Sequence, residues 1–117
     1  MKPLLVVDAA NVVGSVPDGW WRDRFGAAER LRDALVGRSG TEDVVLVVEG
    51  KARGVPSVEG VRVVPADHSG DDKIVEVVRE EGAGRPVTVV TADRELRRRV
   101  SELGAEVAVP TSVPRRP

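Results

Sequence analysis

The sequence predicts an α/β fold, a three-layer α/β/α sandwich around a parallel sheet, and three observations carry that reading. Valine-rich runs of strand length recur along the chain, among them LLVV, VVLVV and VTVV. Runs that are apolar on both faces read as strands buried inside a sheet. Stretches with helical spacing lie between them, the pattern of parallel strands joined by crossover helices. Acids then recur where the runs end: Asp8, Glu49 and Asp93 close or follow them, and Asp71-Asp72 open a helical stretch. Crossover handedness in parallel sheets is nearly fixed, and strand order 3-2-1-4-5 is the topology that fits. That order leaves a crevice between strands 1 and 4, where ligands bind in such sheets, with Asp8 and Asp93 at its lips.

Residues 3–8 read as the first strand, followed by a loop containing Gly14, Pro17 and Gly19. Trp21, Phe25, Ala28, Leu31 and Leu35 then recur at helical spacing, and Gly37 and Gly40 stop the helix, as glycine does at helix ends. Residues 43–49 form the second strand. Segment 50–59, rich in glycine and basic residues and broken by Pro56, reads as a mobile loop, and residues 60–64 as the third strand. Ile74, Val75, Val77 and Val78 mark one face of a second helix ended by Gly82 and Gly84. Residues 86–91 give the fourth strand. Leu96, Val100 and Leu103 line the inner face of a third helix, and residues 105–109 close as a short fifth strand. Residues 1–109 thus make one domain. Residues 110–117, with three prolines and Arg115-Arg116, read as a flexible tail.

The 117 residues suffice for one domain with a core and leave no room for a second. Trp20, Trp21 and Phe25 are the only aromatic residues, so the core is aliphatic, and the two tryptophans read as packing at the core or its lip. The absence of cysteine excludes disulfides and thiolate metal sites, and a single histidine, His68, cannot build a histidine-based zinc site. The longest apolar runs are strand-sized and no basic leader precedes them, so a membrane span is not expected and a cytoplasmic protein is. Net charge is −1, which gives no global basic field for nucleic acid. The distribution says more than the sum, because Lys51, Lys73, Arg94 and Arg98 follow the acids closely.

Each acid also has a local reading. Asp8 in VVDAANVVG could ligate a metal, with Asn11 supporting it, or stabilise a turn through its backbone bonds. Ser69-Gly-Asp-Asp72 has the spacing of a capping box, and acids in a first turn suit the helix dipole; two consecutive acids leave one for the cap and one for the crevice. Thr91 or Asp93 could cap the third helix, and a capping aspartate keeps a second oxygen for a cation. Glu49 before Gly50 could be a solvated loop acid. His68 is a loop histidine that could act as a base or a phosphate contact, or lie idle in solvent. Converging carboxylates need a cation, and an all-oxygen donor set suits Mg²⁺ or Mn²⁺.

Taken together, VVDAANVV at strand 1, VVEG after strand 2, SGDDKIV at the second helix and VVTADREL after strand 4 resemble the NYN domain. This is a PIN-like nuclease family, and within it the motifs resemble the YacP-like branch, from about Lys2 to Val109. The resemblance implies a PIN-like fold and a metal-dependent endoribonuclease using Mg²⁺ or Mn²⁺. On matching positions the ligands are Asp8, Asp71 or Asp72, and Asp93, with Glu49 in the position of a further ligand. Asn11, Ser69 and Thr91 support them. Lys51, Lys73, Arg94 and Arg98 are the candidate contacts to RNA, expected to be single-stranded, and a homo-oligomer is compatible with this reading. Ala9 stands where glycine is usual in the family, and Glu49 where aspartate is more usual. Those two departures define the alternative, a non-catalytic RNA-binding or regulatory module on the same fold. Two other families fit less well. A dehalogenase-type phosphatase needs a second aspartate where Ala10 stands, and a receiver domain needs an acidic pair at strand 1.

Overall fold

Leu4–Asp8 (β1), Asp43–Val48 (β2), Val61–Pro65 (β3), Val87–Val90 (β4) and Glu106–Ala108 (β5) form the strands. Ala9–Val13 (α1), Arg24–Leu35 (α2), Gly70–Glu81 (α3) and Arg94–Glu102 (α4) form the helices. A computed structural model describes residues 1–113. All five strands pair in parallel in the order β3-β2-β1-β4-β5, as the valine runs and intervening helices require. β1 is buried along its whole length and β2 from Val44 to Val48, because both central strands are covered on both faces. The edge strand β3 instead alternates, with Arg62 turned to solvent between Val61 and Val63, a charge that discourages pairing with another chain.

The pleat divides the core in two. Leu5, Val7, Leu46 and Val48 pack with Val12, Leu31 and Leu35 on the α1–α2 side. Leu4, Val6, Val45 and Val47 pack with Ile74, Val78, Leu96 and Val100 on the α3–α4 side. At the far end of the sheet from the acids, Arg85 donates to the Lys2 carbonyl and pairs with Asp43, fastening the start of β1 to the start of β2. Gly82 at the end of α3 is required by space: a Cβ there would stand 2.6 Å from the Val78 carbonyl oxygen and 2.7 Å from Val87 Cγ2.

Several expectations need correction. The loop expected after Asp8 begins as helix α1, which Asp8 itself caps; five residues are too few for a helical period to show in the sequence. The next helix begins at Arg24 and not at Trp21, because the Asp23 side chain accepts the Gly26 N–H and caps it there. Trp21 consequently lies on a 3-10 turn, Trp20–Arg22, and is half exposed, and Phe25 is exposed as well. Segment 50–59 is no mobile loop. It holds a 3-10 turn, Gly50–Ala52, and buries Ala52 and Val55 in the α1–α2 core. Leu103 ends α4 and faces solvent, and Ala105 takes the buried position expected of it. Residues 110–113 are not a loose tail: Pro110–Ser112 make a 3-10 turn, and Pro110 and Val113 are buried. Residues 114–117 of the expected tail lie outside the described residues.

Candidate functional site

Parallel strands deliver their last residues to one edge of the sheet, and here that edge is acidic. Asp8 ends β1, Glu49 follows β2, Asp71 lies in the first turn of α3, and Asp93 precedes α4 after β4. The strand order reverses at β1, so Asp8 and Asp93 flank the crevice between β1 and β4.

Asp8 is only 5% exposed and is held from two sides. The Thr91 hydroxyl donates to its Oδ2 at 2.9 Å, and the Asn11 backbone N–H approaches its Oδ1 at 3.4 Å. The bonds continue across the crevice. The Asn11 side-chain oxygen accepts from the Ala92 N–H at 2.8 Å, Thr91 Oγ1 accepts from the Asp93 N–H at 3.2 Å, and Asp93 Oδ1 accepts from the Leu96 N–H at 2.9 Å. One chain of hydrogen bonds therefore ties the start of α1 to the start of α4. Ala9 takes part without strain, since no residue other than glycine has a positive φ among the described residues.

The electrostatics follow from this crowding. Burial pushes the Asp8 carboxyl up to about 6; Thr91 and Asn11 oppose the rise, while the charges of Asp71 and Glu49 add to it. Asp71 is also raised, first by burial and then by Asp93 and Glu49, with Arg99 opposing. Four of the expected acids, Asp8, Glu49, Asp71 and Asp93, thus act on one another. Among the described residues the side chains of Glu49 and Asp71 take part in no hydrogen bond or ion pair, although the Glu49 carbonyl accepts from the Ala52 N–H. Among those residues, too, no three acidic or histidine side chains stand close enough together to hold a metal ion.

The remaining expected residues lie elsewhere. Asp72 turns away to meet Arg99 on α4 at 2.9 Å, and its side chain is 77% exposed, so the two adjacent acids do different work. Ser69 occupies the position before α3, but its side chain makes no capping bond, so the expected box is not formed. Lys73 pairs with Glu76 one turn along its own helix. Arg98 is held between Glu95 and Glu102 along α4. Arg94 and Lys51 are exposed and have no carboxylate partner among the described residues, and His68 is exposed.

Two features have no signal in the motifs alone. Gly70 makes room for Glu49, because a Cβ there would stand 3.2 Å from Glu49 Oε1. Arg99 pairs with Asp72 and not with Asp71. Its position could have been found from the helical period, which sets it on the face of α4 that neighbours α3.

The fold recurs in a known protein. A crystal structure of Rae1 (YacP) from Bacillus subtilis, a mutant form, superposes with a TM-score of 0.76 over 95% of this chain and 71% of that one. The fold is YacP-like. Sequence identity over the match is 18%, so the likeness lies in architecture: a five-stranded parallel sheet in order 3-2-1-4-5 with helices on both faces. No protein-family model and no curated protein matches the sequence. No helix among the described residues is long and apolar enough to cross a membrane.

Proposed function

We propose that the chain is a metal-dependent endoribonuclease of the NYN type that acts on single-stranded RNA. The observation that supports it best is the set of four carboxylates that repel one another at the switch-point edge of a YacP-like fold. Their donor set is oxygen alone and their charges oppose one another, which fits a hard divalent cation such as Mg²⁺ or Mn²⁺. Asp8, Glu49, Asp71 and Asp93 would hold it, and the half-buried Glu49, Asp71 and Asp93 side chains would have to turn toward Asp8 to do so. Such an ion, when bound, lowers the pKa of water and stabilises charge on a phosphodiester in transition.

The rest of the work belongs to the chain's own groups. Thr91 fixes one carboxylate oxygen of Asp8, so the group enters the reaction already oriented. Asn11 holds the backbone at Ala92 and thereby keeps Asp93 on the facing lip. Arg94 and Lys51 flank the acids and present their charges to the phosphates of a strand lying across the crevice. Phosphate contacts of this kind position a strand without reading its sequence. Replacing Arg94 with Ala should weaken RNA binding for all sequences alike and lower the salt slope by about one phosphate's worth. Arg98→Ala should leave the slope unchanged, because Glu95 and Glu102 already neutralise that guanidinium. A larger effect from Arg98 would reverse the assignment.

One observation favours the second reading, a module that binds RNA without cutting it: among the described residues no three carboxylates are placed to ligate an ion as they stand. A single experiment separates the readings. Labelled single-stranded RNA is incubated with the protein in Mg²⁺, in Mn²⁺ and in chelator, and both binding and cleavage are followed. Cleavage confined to the metal-containing samples supports the nuclease. Binding in chelator with no cleavage in any sample supports the module, and neither binding nor cleavage overturns both.

A further inference from the structure

Beside the carboxylates lies a cavity of about 260 Å³. Ala9 and Val13 of α1 and Ala28 of α2 line it with apolar surface, Trp20 and Arg24 contribute its aromatic and cationic groups, and Glu49 connects it to the acidic crevice. The aromatic part is not demanded by the fold. No residue of the Trp20–Arg22 turn is buried, so the core does not need an indole at this place. Yet the indole is held: Trp21 meets it edge-on at 6.0 Å, and the Arg24 guanidinium carbon lies 5.5 Å from its ring centroid. Arg24 has no carboxylate partner among the described residues.

We propose that this cavity receives one unpaired nucleobase of the strand whose backbone crosses the carboxylates, and so sets which base stands next to the phosphate being attacked. The proposal rests on the ribonuclease reading above and adds a base subsite to it. A base is planar and apolar on its faces, and bases stack on indole rings and on guanidinium planes alike. The size agrees, since pockets that enclose a whole drug-sized ligand run from about 300 to 1,000 Å³, and this smaller space suits one ring system without its sugar and phosphate. The position agrees as well. Glu49 belongs to both the cavity and the acidic set, so a base seated here leaves its phosphate at the acids. Single-stranded RNA is the form that can splay out a base in this way, whereas a duplex keeps its bases stacked inside.

The test uses binding of short single-stranded RNAs in chelator, each carrying one abasic nucleotide at a different position. The parent should lose about tenfold to a hundredfold in affinity at one position, the range that alanine substitution of stacking residues gives, and much less elsewhere. Ala10→Leu fills the cavity from an exposed position on α1. It should bind intact RNA as weakly as the parent binds that abasic strand, and lose nothing further on the abasic strand. Trp20→Ala should behave in the same way, and a parent-like melting temperature for Ala10→Leu shows that the fold is intact. A flat abasic series, or losses that simply add for variant and strand, would overturn the subsite even if the parent cleaves RNA in Mn²⁺. A position-dependent series from a protein that never cleaves would keep the subsite and sink the nuclease reading. A parent that neither binds nor cleaves RNA removes both.

Discussion

Asp71→Asn should cut single-stranded RNA at least about a thousandfold more slowly than the parent in saturating Mn²⁺, while Asp72→Asn stays within a few-fold. A bound metal supplies several kcal/mol of transition-state stabilisation, and each 1.36 kcal/mol is tenfold in rate, so loss of one ligand is expressed in orders of magnitude. The two acids are neighbours in sequence and nearly identical in chemistry, which makes them a stringent pair. Asp71 is raised by burial and then by Asp93 and Glu49, whereas Asp72 points to Arg99. Asp8→Asn should show a loss comparable to that of Asp71→Asn. Equal losses for Asp71 and Asp72, or parent-like rates for Asp71→Asn, would mean that the acids are misassigned. Single-turnover rates at saturating protein exclude an effect on RNA binding.

The second large effect is on stability, and it is measured in chelator so that no metal contributes. The Asp8 carboxyl titrates at about 6 in the folded protein, against 3.8 for an unperturbed aspartate. The folded state therefore holds this proton more tightly than the unfolded chain does. The associated stabilisation is present in full below about pH 4 and is lost as the pH rises through about 6. A shift from 3.8 to about 6 corresponds to a loss on the order of 3 kcal/mol. For a domain of this size that is on the order of 10 °C in melting temperature. Asp8→Asn has no proton to lose and can still cap α1, so the gap between variant and parent should widen in the variant's favour between pH 4 and pH 7. Parallel curves for the two proteins would show that burial does not raise the Asp8 carboxyl.

The architecture was legible because the sheet is internal: VVLVV and LLVV admit no solvated face, and that fixes β1 and β2 as central strands. The acids were legible for the same reason, since parallel strands deliver their ends to one edge. Less visible were features set by single bonds. α1 exists because Asp8 caps it, and α2 starts late because Asp23 folds over Gly26; neither leaves a hydrophobic period to read. Asp72 differs from Asp71 by its ion pair with Arg99 on another helix, which the spacing of SGDDKIV alone does not show. Segment 50–59 misled by composition. Its glycine and lysine suggested motion, but Ala52 and Val55 are apolar enough to be drawn into the core.

The hydrogen-bond chain through Asn11, Thr91 and Asp93 has a consequence for descent. Those residues hold α1 and α4 to the sheet, so a lineage that abandoned chemistry would still lose stability by changing them, and selection removes variants that fall below the stability needed to stay folded. Glu49 and Asp71 hold nothing in place. Their only evident cost is mutual repulsion, and a lineage freed from the reaction gains by discarding them. On the ribonuclease reading, relatives freed from the reaction should therefore keep Asn11, Thr91 and Asp93, drift at positions 49 and 71, and accept at position 8 an uncharged cap such as Asn.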